Sequence, residues 1–216
     1  MESKNIAKGS YKNIRRFVGV LGILLPIICI LGGSVLSSKP LLLSLSGYYY
    51  SNMRDIFVGV IFSFCLLLIT YEGYTVTDSL LTTISGIFGL GVAIFPCQYA
   101  DYPDTVVGIF QLKSSVSGYI HTASALIFFI LLAINSIFLF TKSNSVYLTK
   151  QKIIRNMIYR VSGVLILATI IVGIILYFTL SKTSYDDFHI ILLSEIIMLI
   201  SFGLSWLVKG ETIFRD

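Results

Sequence analysis

Residues 17–36 read FVGVLGILLPIICILGGSVL, a run of twenty positions with no acidic, basic or amide side chain. At 1.5 Å of helical rise per residue, such a run reaches across the roughly 30 Å hydrocarbon layer of a bilayer. Lys4, Lys8, Lys12, Arg15 and Arg16 precede it, as in the head of a secretory signal. The apolar part is too long for that role, however, and no small-x-small cleavage pattern follows, so the run reads as a retained first span. Pro26 in its middle is tolerable where neighbouring helices satisfy the freed carbonyl, and marks an expected kink.

Outward from this stretch the same reading finds five more apolar runs, at residues 55–71, 80–96, 118–140, 161–180 and 188–208. No long polar segment separates them, which predicts one all-α transmembrane domain over residues 1–216, a polytopic six-helix bundle. The composition agrees. Of 216 residues 56% are hydrophobic and only 12% charged, with a mean hydropathy of +0.88, whereas ordinary soluble domains are about a quarter charged. A soluble enzyme, a disordered tail and a nucleic-acid-binding module are excluded as classes, and the lipid bilayer is the expected partner.

The net charge of +5 follows membrane topology. The amino terminus (Lys4, Lys8, Lys12, Arg15, Arg16), the fourth-to-fifth connection (Lys142, Lys150, Lys152, Arg155, Arg160) and the tail (Lys209, Arg215) hold twelve basic residues on one side. The other side holds four: Lys39, Arg54, Lys113 and Lys182. The positive-inside rule therefore puts both termini in the cytoplasm. All 13 tyrosines fall near span ends, the headgroup level that their amphipathic rings prefer. Tyr48, Tyr49, Tyr50, Tyr99, Tyr102, Tyr119, Tyr177 and Tyr185 lie at outer ends. Tyr11, Tyr71, Tyr74, Tyr147 and Tyr159 lie at inner ends, beside Trp206.

Small residues at four-residue spacing, Gly59 with Ser63 and Ser85 with Gly89, joined by Gly86 and Gly91, mark expected close helix contacts. Cys29, Cys65 and Cys97 stand singly, with the spacing of neither a disulfide framework nor a thiolate metal site.

Ionisable groups are costly inside a membrane, about 2.5–3.5 kcal/mol at a helix centre on insertion scales, so the few that occur there carry the information. They are His121, one turn into the fourth run, and Glu195, seven residues into the sixth, with Arg54 and Asp55 heading the second. These three spans run in one direction, which brings the four residues to similar heights near the outer face. The expectation is a polar pocket open to the extracytoplasmic side and floored by Glu195. Asp55 also suits the positive end of its own helix, and Arg54 can snorkel to phosphates. Asn135, deep in the fourth run, reads as an interhelical hydrogen-bonding residue.

Other chemistries use the same residues. A bis-histidine haem would need both histidines of the chain to face one another. A catalytic zinc wants three protein ligands, for which His121, His189 and Asp55 or Glu195 are the weak candidates. Ser51, His121 and Asp55 make a hydrolytic triad on paper. No cofactor is required by the sequence.

The stretch Tyr48-Tyr49-Tyr50-Ser51-Asn52-Met53-Arg54-Asp55-Ile56-Phe57-Val58-Gly59 resembles the second-span signature of an uncharacterised family of small six-span bacterial inner-membrane proteins. Residues 91–96, His121, Glu195 and residues 202–211 fit the same pattern. The resemblance implies a bacterial cytoplasmic membrane and no activity. A more distant similarity, to the hydrolase superfamily of alkaline ceramidases and progestin and adiponectin receptors, implies a zinc site and cleavage of a lipid amide or ester, with Ser51, Asp55 and His121 in loose correspondence. The His-x-x-x-His pair of that superfamily has no counterpart here.

The expected function is binding of a small ligand, ion or lipid headgroup by Arg54, Asp55, His121 and Glu195, for transport or sensing. A membrane-embedded metal-dependent hydrolase and a structural subunit of a membrane complex are the alternatives.

Overall fold

The computed structural model describes residues 2–36, 41–73, 75–99, 102–143 and 147–212. Lys39, Tyr74 and Arg215, used in the topology reading, lie outside the described residues, as do the side chains of Lys4, Lys8 and Tyr11. Helix α1 (Glu2–Leu31) passes into a π-helical turn, Gly32–Leu36, and a 3-10 turn at Ser46–Tyr50 leads to α2 (Arg54–Ile69). Next come α3 (Val76–Ile94), a small hairpin of β1 (Val106–Val107) and β2 (Leu112–Lys113), and α4 (Ser114–Ile134), which continues as a second π-helical turn, Asn135–Leu139. Then follow α5 (Lys150–Thr179), the short α6 (Lys182–Asp187) and α7 (Ile190–Lys209).

Among the described residues, five helices are long and apolar enough to cross a membrane: α1 over Lys12–Ser34, α3, α4 with its π-helical turn, α5 and α7. Helix α2 is as apolar but has 16 residues, about 24 Å of rise.

Several boundaries differ from the sequence reading, for a common reason. Helices run on past the apolar stretch wherever the next side chains find caps or partners. Helix α5 starts at Lys150, capped by the Thr149 hydroxyl on the Lys152 amide, so Lys152, Arg155 and Arg160 belong to a helix and not to a loop. Helix α3 starts at Val76, where the Thr75 side chain accepts the Asp78 amide. Asp78, which precedes the apolar run at 80–96, is thus a buried residue of the first turn. Lys209, placed by the sequence reading in the tail, is the buried last residue of α7. Pro26 lies within α1, which runs on through it.

Helices α1, α2, α3, α4, α5 and α7 pack in a ring in which each touches its chain neighbour and α7 returns to α1. Glycine sets the closest approaches. A Cβ on Gly203 would lie 2.7 Å from the Gly19 carbonyl oxygen, and one on Gly86 would lie 2.7 Å from that of Cys65. Backbone therefore meets backbone between α1 and α7 and between α2 and α3, as small residues permit in lipid. The expected Gly59 and Ser63 contact does not form. Nothing lies within 4 Å of a Cβ built on Gly59, and the Ser63 hydroxyl turns back to the Gly59 carbonyl. The ring is filled by aromatic side chains from α2, α4 and α7, with Phe64 5.7 Å from Phe202 and 6.1 Å from Phe128 between centroids.

Four of the tyrosines, Tyr48, Tyr49, Tyr71 and Tyr159, are buried. They pack around the ring's two ends, where Tyr71 meets Trp206 and Tyr159 meets Phe140 edge to face. The two ends differ in charge. Lys12, Arg15, Arg16, Lys142, Lys152 and Arg155 gather at one, called here the basic end, and the β hairpin, Arg54 and α6 occupy the other, the hairpin end.

Candidate functional site

At the hairpin end, α4 presents Ser114, Ser117, Gly118 and His121, residues three or four apart and so on one helical face. This face grips the chain that leaves α3. The Ser114 hydroxyl accepts the Tyr99 amide at 2.6 Å, and Ser117 donates to the Pro96 carbonyl at 2.8 Å. A Cβ on Gly118 would fall 2.8 Å from the Gln98 backbone nitrogen, so only glycine leaves room there. His121 Nδ1 lies 2.7 Å from the Phe95 carbonyl oxygen. Since a carbonyl only accepts, Nδ1 carries the hydrogen and Nε2 keeps its lone pair in the neutral ring.

A second segment, residues 41–45, lies against the first turns of α7. The Leu192 amide, which has no partner within its own helix, donates to the Leu43 carbonyl at 3.1 Å. In return Glu195 Oε2 accepts the Leu45 amide at 2.6 Å. Between the segment, α2, α3, α4 and α7 is a cavity of about 30 Å³, lined by Ser46, Val92, His121, Phe128, Glu195 and Leu199 among others. That volume admits a water or an ion of similar size. Cys97 borders this region, its thiol pushed up to about 12, first by burial and then by the nearby Glu195 carboxylate.

Two of the residues singled out from the sequence, His121 and Glu195, thus share one cavity. The other two stand apart. Arg54 and Asp55 are exposed at the start of α2, where Arg54 donates to the Tyr49 hydroxyl at 3.0 Å and lies 4.6 Å from the centroid of its ring. The cavity takes Phe57 and Ile61 from that helix instead, which lie deeper along α2 than its exposed first residues. His189 caps α7 in the left-handed region at φ 50°, with Nδ1 at 3.1 Å from the Asp187 carbonyl, and Ser51 donates to the Tyr48 carbonyl. Neither lines the cavity. Among the described residues no three His, Cys, Asp or Glu side chains gather as a metal ion would need, so the donor set for the zinc of the hydrolase reading does not assemble.

Sequence reasoning missed a second polar cavity, at the basic end. It is about 10 Å³ and is lined by Tyr71, Asp78, Thr82, Asn135, Phe140 and Lys209, among others. Asp78 Oδ1 pairs with Lys142. The Lys209 ammonium donates to the Phe140 carbonyl at 3.2 Å and lies over the rings of Phe140 and Tyr159. Asn135 donates to the Ser85 hydroxyl at 3.3 Å, which matches its expected interhelical role. One signal was available: Thr75-Val76-Thr77-Asp78 has the spacing of a capping box, which starts α3 early enough to bring Asp78 inside. Both cavities are built on α4, with the π-helical turn that continues it, and on α7. The Phe64, Phe128 and Phe202 rings lie between them.

Apolar helices packed around two small cavities that hold ionisable side chains define an all-α integral membrane protein. A family model described as a protein of unknown function (DUF998) matches residues 34–208, and the chain belongs to that family. No curated protein and no solved structure matches the chain.

Proposed function

We propose that the chain crosses a bacterial cytoplasmic membrane six times as one domain, with both termini in the cytoplasm, and binds a proton or small ion in the His121 and Glu195 cavity for transport or sensing. The bacterial setting rests on the resemblance carried by residues 48–59. Support for the orientation comes from the basic residues gathered at one end of the ring, which the positive-inside rule directs to the cytoplasm. The hairpin end, with the cavity, then faces outward, and the cavity's size favours an occupant no larger than water over a lipid headgroup.

The observation that carries the reading is the sharing of one otherwise largely apolar cavity by an imidazole and a carboxylate from different helices. Intramembrane ionisable residues placed in this way commonly mark ion and proton paths. The test is thermal unfolding of purified protein in nanodiscs, scanned over pH and over lithium, sodium and potassium chlorides against choline chloride. The wild type is expected to shift with pH or with one cation, and the shift is expected to disappear in both His121→Ala and Glu195→Gln. Wild-type and variant profiles that coincide under every condition would remove the reading.

A further inference from the structure

The basic-end cavity poses a problem in hydrogen bonding that the proposed function does not use. Asp78 Oδ2 and Asn135 Oδ1 are both buried and find no hydrogen-bond partner among the described residues. Asp78 is 3% exposed and Asn135 0%, and both line the same cavity. A buried carboxylate oxygen without a donor is costly, so native structures supply one from protein or from ordered water.

The surrounding charge decides what can supply it. Lys142 is paired with Asp78, and Arg15, Lys152 and Arg155 lie close enough to Lys209 to act on its ammonium. A metal cation would enter a region already rich in positive charge. An anion would meet two acceptor oxygens and no room, since about 10 Å³ is one water-sized space. What fits is a neutral molecule with two hydrogens to give and one lone pair to receive a third bond.

We infer that the cavity formed by Asp78, Asn135 and Lys209 is the binding site of a single structural water molecule, which donates to Asp78 Oδ2 and Asn135 Oδ1 and accepts from the Lys209 ammonium. The three bonds equal the usual number for a buried water. They join α3, the π-helical turn after α4, and α7. The π-helical turn has a part in this, because it begins at Asn135 and ends by presenting the Phe140 carbonyl to both Lys209 and Lys152, at 3.2 and 3.1 Å. The water links Asp78 to Lys209 without direct contact, and the Lys142, Asp78, water and Lys209 groups form one hydrogen-bonded chain across the basic end.

Two measurements test this. A high-resolution structure is expected to show ordered density within hydrogen-bonding distance of Asp78 Oδ2 and Asn135 Oδ1. An empty cavity, or an Asn135 amide turned so that Nδ2 donates directly to Asp78, would overturn the assignment. In solution, Asn135→Ser leaves a polar site with room for water, whereas Asn135→Leu presents an apolar side chain of similar size to Asn. A hydrated site predicts a melting temperature several degrees higher for Asn135→Ser than for Asn135→Leu. The reverse order is the behaviour of a dry cavity and would refute the water. If either variant fails to accumulate, the density in the wild type decides.

Discussion

Glu195 Oε2 accepts the backbone amide of Leu45 at 2.6 Å, joining residues 150 positions apart in the chain. Together with the Leu43 carbonyl on the Leu192 amide, this bond staples residues 41–45 to α7. Glu195 therefore has a structural bond as well as a place in the cavity, and substitutions separate the two. Glu195→Gln keeps an oxygen for Leu45 and is expected to retain wild-type melting while losing any ion or proton response. Glu195→Leu leaves the amide unpaired and is expected to destabilise by about 1–3 kcal/mol. Equal melting of both variants would show that the staple contributes nothing.

The glycine contacts predict a contrast between positions that look alike in sequence. Gly86→Ala places a Cβ 2.6 Å from Ile69 Cγ1 and 2.7 Å from the Cys65 carbonyl oxygen, and is expected to destabilise by about 1–3 kcal/mol. Gly59→Ala enters open space in a helix interior and is expected to be neutral or to stabilise by up to about 1 kcal/mol. Thermal unfolding of both in one detergent decides.

The Asp78 and Lys142 pair is asymmetric, since the carboxylate side chain is 4% exposed and the ammonium side chain 42%. Removing the lysine strands a buried charge. Lys142→Ala is expected to cost about 2 kcal/mol, and Asp78→Asn in the same chain is expected to recover part of that loss. A double variant as unstable as the sum of the single ones would mean that the residues act independently.

Orientation can be read by chemical labelling. Single cysteines placed at Lys113 or Lys182 in a cysteine-free background should react with an impermeant maleimide added outside intact cells, and one at Lys150 should not, given the basic asymmetry. Labelling at Lys150 alone inverts the topology.

The Cys97 thiol, raised from 9.0 to about 12 by burial and then by Glu195, carries a pH prediction. Well below pH 9 the thiolate fraction is about a thousandfold lower than for an ordinary thiol. Alkylation of Cys97 in native membranes should therefore be slow at neutral pH and rise as pH increases, whereas after denaturation in SDS it should be fast. Peptide-level mass spectrometry reads the site, and prompt native labelling would contradict the packing of residues 95–99.

What the sequence disclosed follows from hydropathy. Runs without charge announced the helices, and the cost of charge in lipid drew attention to His121 and Glu195, which do share a cavity. The same rule misled where helices pass beyond the apolar run. Lys209 and Asp78 lie just beyond their apolar runs, which by hydropathy alone places them in a tail and a connection, yet both are buried, with Phe140 and Tyr159 under the Lys209 ammonium. Arg54 and Asp55 lie outside that cavity for a different reason: both are exposed in the first turn of α2, and the side chains that helix gives to the cavity, Phe57 and Ile61, come from deeper along it. Glycine spacing pointed correctly to Gly86 and Gly89 and wrongly to Gly59, because a motif of small residues does not say whether a partner helix is present.

Residues 121 and 135 are separated by about 14 positions, as are 195 and 209, which is nearly four full helical turns or ~21 Å. Each pair therefore projects from one side of its rod, with one member in each chamber. A piston shift or axial roll of α4 or α7 moves a wall of both chambers at the same instant, with the stacked phenylalanines as the fulcrum. The two ends of the molecule thus have two walls in common, and a rigid movement of either helix reaches both.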